Sequence, residues 1–165
     1  MRVILRQNFR GVYGTIRDLI KVPKNLERAI RVAAGRHLYD IVVEDENVAS
    51  FCIEFLKEEK IGRATFLPLN KLRPIIFSDF SILNREGVIG VASKLISYDT
   101  KFMRAIEFVF GNTLIVKDLE AAKNVGIGKV RMVTLDGDLI ERSGAMTGGY
   151  FVSPLVVRSG EEKEL

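Results

Sequence analysis

"GVYGTIRDLI" (residues 11–20) and "GVIGVASKLI" (residues 87–96) decide the fold of this chain, because the second is the first displaced by 76 positions. The same displacement lays Arg28-Ala29-Ile30 over Arg104-Ala105-Ile106, Gly35 over Gly111 and Leu38 over Leu114. Ten of the 28 positions from 11 to 38 are identical, where roughly two would arise by chance. After a three-residue gap "VVED" (42–45) lies over "IVKD" (115–118), and "RATFL" (63–67) is set against "MVTLD" (132–136). Two copies are too few for a solenoid, so the expectation is two related lobes joined through residues 68–86.

Each copy reads as the same series of elements. Val12, Ile16, Leu19 and Ile20 follow the i, i+4, i+7, i+8 spacing of a helix, and Val88, Ala92, Leu95 and Ile96 repeat it. A second helix is predicted from near Asn25, or Asp99 in the copy, to a glycine stop at Gly35 or Gly111. Strands "DIVVE" and "TLIVK" follow, then a helix with Val48, Phe51, Cys52 and Phe55 on one face, matched in the copy by "LEAAKNV". Each unit ends in a strand, "RATFLP" or "KVRMVTL". The second copy adds a hairpin, because Asp136-Gly137 between apolar runs signals a type I′ turn. Gly144, Gly148 and Gly149 follow directly, in "DGDLIERSGAMTGGY" (136–150). Such a cluster costs chain entropy and asks what needs those positions small.

The 165 residues are 47% hydrophobic, ample for a packed core. No apolar run approaches the ~20 residues of a membrane span, and residues 1–20 lack the pattern of a secretion signal, so a cytoplasmic protein is expected. Cys52, alone among apolar neighbours, reads as a small buried hydrophobe. The net charge of +4 becomes +6 without residues 161–165, and Arg2, Arg6, Arg10 and Arg17 precede the first acid. Such a patch suits a polyanion or a solvated basic face.

Catalytic signatures are missing. There is no GxxxxGK[ST] loop, and "GVYG" and "GVIG" are too short for a dinucleotide fingerprint, so Gly11, Gly14, Gly87 and Gly90 read as close-packing positions. His37 is the single histidine and has no nucleophile motif beside it. Asp136 and Asp138 flank a turn glycine, where Asp is favoured for backbone reasons, and no calcium-loop pattern surrounds them. An enzyme is therefore disfavoured, and no metal ligands are assigned.

"GVYGTIRDLIKV", "GRATFLPLN", "GVIGVASKLISY" and "VTLDGDLIERSGAMTGG", in this order and spacing, resemble the hinge domain of the SMC (structural maintenance of chromosomes) proteins, of the archaeal or bacterial kind, over about residues 9–150. The resemblance implies an α+β (mixed α/β) fold of two pseudo-repeated lobes, each a small mixed sheet with packed helices, forming a two-fold ring-shaped dimer. The expected division is a coiled-coil lead-in at 1–10, lobe I at 11–75, a linker at 76–86, lobe II at 87–150 and a lead-out at 151–165. It further implies a hinge in the middle of a long chain, between coiled-coil arms and a head that holds ATP and Mg, with no cofactor in this domain.

By the same resemblance, Gly144, Ala145, Met146, Thr147, Gly148, Gly149 and Tyr150 lie at a dimer contact, where lobe II of one chain meets lobe I of the other. The partner is a second SMC hinge, with a homodimer favoured. Relatives also bind DNA, single- or double-stranded, near where the arms emerge, with an affinity that falls with salt. The candidates here are Arg2, Arg6, Arg10 and Arg158, with Lys57, Lys60 and Arg63 as a second cluster that also complements a helix end. Family members often carry bases soon after the double glycine, whereas this chain has "YFVSPLVV". A freestanding nucleic-acid-binding domain and a small α/β enzyme are the alternatives.

Overall fold

The structure, a computed structural model, describes residues 2–152. Its chain forms two sheets, one per copy of the repeat. The first has the order β1 (Val12–Thr15), β2 (Ile41–Val43), β3 (Phe66–Pro68). The second has β4 (Val88–Val91), β5 (Thr113–Val116), β6 (Arg131–Thr134), β7 (Leu139–Ile140) and β8 (Met146–Thr147). In both, the first pair is antiparallel and the next parallel. The helices are α1 (Arg2–Arg6), α2 (Ile16–Leu19), α3 (Glu27–Ala34), α4 (Glu46–Glu59), α5 (Met103–Phe110) and α6 (Leu119–Val125).

The helix expected at the head of each copy is instead a bulged strand followed by one turn of helix. Pairing slips between Val12 and Gly14, and again between Val88 and Gly90. At both slips the glycine takes a positive φ, +137° at Gly14 and +156° at Gly90, which a side chain would resist. The apolar spacing that mimics a helix is the strand's inward face joined to the turn after it. Thr15 begins that turn in lobe I, its hydroxyl accepting from the Asp18 N–H while Asp18 Oδ2 accepts from the Thr15 N–H.

Registers correct part of the sequence alignment. Val12 pairs with Val43 and Val88 with Val116, so the displacement of 73 at the second strand stands. At the third strand Ile41 pairs with Phe66 and Leu114 with Met132, so Phe66 corresponds to Met132 and the "RATFL" alignment is three residues out. The helices after the second strands begin alike: Asp45 accepts from the Val48 N–H and Asp118 from the Ala121 N–H, both at 2.9 Å. Gly11 and Gly87 lie under those helix starts, where an added β-carbon would stand 2.7 Å from Val48 Cγ2 and 2.5 Å from Ala121 Cβ. These two glycines are the close-packing pair. Gly14 answers to backbone conformation, and Gly90 to both, since an added β-carbon there would also lie 3.3 Å from Leu95 Cδ2.

One core joins the lobes and is built from corresponding residues. Ile30 and Ile106, Ala29 and Ala105, Val42 and Ile115, and Leu67 and Val133 all bury in it. Lys21 and Ser97, also corresponding, exchange main-chain hydrogen bonds in both directions at 2.8 and 2.9 Å, placing the pseudo-two-fold axis between them. Smaller clusters serve each lobe alone, and Cys52 takes the place of Val125, its thiol pushed up in pKa by burial. Ile4 of α1 is fully buried in the lobe I cluster, as Ile82 is buried in that of lobe II. Residues 2–6 and 80–84 thus each close one lobe's cluster. Phe51, expected on the buried face of α4, is 57% exposed, held edge-on to Phe9 at 5.0 Å.

Candidate docking interface

Lobe II exceeds lobe I by two strands, β7 and β8, and these carry the glycine segment. The turn at Leu135-Asp136-Gly137 is not type I′, since only Gly137 has a positive φ. The Gly137 N–H donates to the Thr134 carbonyl and the Thr134 N–H to the Asp138 carbonyl, a three-residue loop closed by a left-handed glycine. Arg142-Ser143-Gly144 repeats this geometry between β7 and β8, with the Gly144 N–H on the Glu141 carbonyl and the Glu141 N–H on the Ala145 carbonyl.

β8 is a sheet edge, and Arg142 to Val152 are all exposed, with Met146 at 51% and Tyr150 at 93%. Because Glu141 and Ala145 are bonded partners, Ala145 and Thr147 turn their main-chain groups toward β7. Met146 and Gly148 turn theirs outward, unpaired. Gly149 has φ +140° and open space where a side chain would be. Gly148 is small for an internal reason too: an added β-carbon would lie 2.5 Å from Asp138 Oδ1.

The first sheet has an edge of its own. Ile41 donates to the Thr65 carbonyl and Leu69 to the Val43 carbonyl, so 65, 67 and 69 face β2 and Phe66 faces out. Pro68 lacks an N–H, as suits an edge strand. Phe66 corresponds to Met132, which in lobe II is paired by Ile140 of β7. Among the described residues, the place that β7 fills in lobe II is therefore bare in lobe I.

Basic residues are distributed otherwise than the termini indicate. Arg2, Arg6, Arg10, Lys57, Lys60 and Arg63 are exposed, and α1 and α4 flank the lobe I cluster that also holds Ile61 and Ala64. Glu54, Glu58 and Glu59 interleave there, and Lys57 pairs with Glu54 at 3.5 Å. Arg158 lies outside the described residues. The stronger concentration runs from Arg17 through α3 to Arg36, with six bases and two acids. This stretch carries +4, and the rest of the chain has 19 charges of each sign.

All six bases are exposed, and none joins an ion pair among the described residues. Lys24, Arg28 and Arg31 line one hollow of about 380 Å³, and Arg17 and Arg31 another of about 270 Å³. The helical spacing of Lys24, Arg28 and Arg31 was in the sequence, but counting charge by terminus hid it. His37, half-buried, holds Asp40 Oδ2 from Nδ1 at 2.6 Å, while burial raises the Asp40 carboxyl above its ordinary value. Among the described residues no three His, Cys, Asp or Glu side chains gather as a metal site, and no helix is long and apolar enough to cross a membrane.

Comparison with known proteins agrees with this architecture. Residues 9–126 match the family described as the SMC proteins Flexible Hinge Domain. The chain is 47% identical over 145 residues to the chromosome partition protein Smc of Aquifex aeolicus, covering 87% of this chain and 12% of that protein. It thus spans about an eighth of the curated relatives it matches. An asymmetric dimer of the Geobacillus stearothermophilus SMC hinge domain superposes with a TM-score of 0.84 at 36% identity, covering 94% of this chain and 66% of that one. The Pyrococcus furiosus SMC hinge domain superposes with a TM-score of 0.79 at 46% identity, covering 90% and 78%. With its doubled lobes, mixed sheets and shared core, the chain belongs to the SMC hinge family.

Proposed function

We propose that this chain couples two SMC molecules of a chromosome condensation and segregation ATPase. The edge strand β8 of one copy adds to the bare β3 edge of another. The observation that carries this is the mismatch between the lobes: β6 bears two further strands, while its counterpart β3 ends a sheet. Exchange of the two edges between copies builds two equivalent contacts and closes a ring, as a self-complementary two-fold association requires. Side-chain-free positions at Gly148 and Gly149 allow the partner backbone to come within hydrogen-bonding distance.

Sedimentation across a dilution series tests the reading. The chain is expected as a dimer at micromolar concentration, and Met146→Glu, which places charge on the edge, is expected as a monomer. A dimer unchanged by Met146→Glu contradicts it. The ATP-binding heads, the arms and a place on the chromosome in the cytoplasm belong to the whole protein in this proposal.

The same joint contacts DNA through exposed bases. The α3 face supports this better than the terminal arginines do, because the chain's whole charge excess lies there and none of its bases joins an ion pair among the described residues.

A further inference from the structure

Arg131 opens β6, and among the described residues its side chain is the one whose hydrogen bonds reach both lobes and the docking hairpin. Its Nη1 donates to the Ala33 carbonyl at 3.0 Å and to Thr113 Oγ1 at 2.7 Å, and its Nε donates to Glu141 Oε1 at 3.2 Å. Ala33 lies in the last turn of α3, whose carbonyls lack helical partners and whose dipole favours a cation. Thr113 is fully buried at the start of β5. Glu141 is the hairpin base: its own N–H and carbonyl close the loop that leads into β8. A planar guanidinium with fixed donors can serve three acceptors on three elements, which a lysine ammonium on a flexible stem cannot reproduce.

The repeat supplies an internal control. By strand register the residue corresponding to Arg131 is Thr65, which is exposed and carries no such network. Lobe I also lacks the hairpin. Arginine and hairpin occur together in one copy and are absent together from the other.

We propose that Arg131 is a positioning residue for the docking edge: it fixes the angle of the β7–β8 hairpin relative to α3, so that β8 is presented in register to the second chain. This rests on the reading that β8 is the docking edge. A hairpin free to pivot about its base loses preorganisation and must be ordered on association, which weakens binding without removing any contact to the partner.

The experiment compares Glu141→Gln, Arg131→Lys and Arg131→Met with the unaltered chain, measuring the dimer dissociation constant by sedimentation and the unfolding midpoint at concentrations below that constant. Glu141→Gln and Arg131→Lys are expected to raise the dissociation constant about tenfold, equivalent to about 1.4 kcal/mol. Their unfolding midpoints should stay close to that of the unaltered chain. Hydrogen exchange is expected to quicken at the Glu141 and Gly144 amides alone.

Arg131→Met carries the larger structural loss, and should it fail to fold, Glu141→Gln decides the matter because it leaves the bonds to Ala33 and Thr113 in place. Met146→Glu serves as the reference. If it dissociates the dimer while Glu141→Gln and Arg131→Lys leave the constant within twofold, Arg131 has no positioning role. If Met146→Glu leaves the dimer intact, the edge reading itself falls.

Discussion

Gly148 lies directly against Asp138: a β-carbon on Gly148 would meet Asp138 Oδ1 at 2.5 Å, while Oδ2 of the same carboxylate accepts the Thr134 hydroxyl at 2.8 Å. The two glycines that follow β8 are therefore small for different reasons. Gly148→Ala should strain the hairpin inside its own chain, costing about 1–3 kcal/mol in chemical denaturation. Gly149 has room but a φ of +140° that alanine resists, so Gly149→Ala should cost up to about 1 kcal/mol in unfolding and also weaken association. At about 1 kcal/mol per contact and two contacts per dimer, the dissociation constant should rise about 30-fold, read by light scattering on dilution.

Asp45 and Asp118 cap corresponding helices with the same bond length. Asp45→Ala and Asp118→Ala should each lower stability by about 1 kcal/mol. Since the caps belong to separate lobe clusters, the double variant should equal their sum within about 0.5 kcal/mol in thermal or urea unfolding.

Lys94 Nζ lies 2.9 Å from Glu107 Oε2, with the lysine side chain 69% exposed and the glutamate 10%. The hydrogen bond to Glu107, and then its charge, raise the Lys94 pKa above 10.5. A group whose folded pKa is raised stabilises the fold fully below its unfolded value and loses that contribution as pH rises through the folded one. Solvent screening of so exposed a lysine keeps the contribution below about 1 kcal/mol. Lys94→Ala should therefore be less stable than the unaltered chain at pH 7 to 9, and the difference should close above the lysine's ordinary value of 10.5.

If nucleic acid meets the α3 face, Arg28→Glu with Arg31→Glu should abolish retention of a short DNA duplex at low salt and flatten the salt dependence by about two phosphate contacts. Lys57→Glu with Lys60→Glu should have the smaller effect, because Glu54, Glu58 and Glu59 already neutralise that end of lobe I. Arg28 carries a second consequence, since its guanidinium lies 4.8 Å from the ring of Phe151, two residues after Gly149. Fluorescence anisotropy at several salt concentrations separates the two pairs.

The duplication and both central strands were legible because the repeat displays them twice, and the glycine-bearing hairpin because Asp136-Gly137 is a local turn signal. Of the two caps expected at Asn25 and Asp99, only Asp99 accepts a main-chain N–H, that of Lys101, while Asn25 falls inside a helical turn that begins after Pro23. The leading helix was misread because Val12, Ile16, Leu19 and Ile20 have helical spacing in either conformation, and only the positive φ at Gly14 decides for a bulged strand. The third strands slipped by three because Phe66–Pro68 is too short to fix its own register and depends on β2. Arg131 could not be singled out from sequence: its acceptor Ala33 is 98 residues away and offers a main-chain carbonyl, which leaves no mark on residue type.

The central claim is that β8 of one copy docks on β3 of another. Disulfide formation between two differently tagged chains, one bearing Thr65→Cys and the other Met146→Cys, tests this most directly, with Cys52 fully buried and out of reach. A cross-linked product of twice 18.5 kDa, formed between the two tags only when both chains are present, is the predicted result. Met146→Cys chains that link only to one another, or no mixed product at all, would contradict the account.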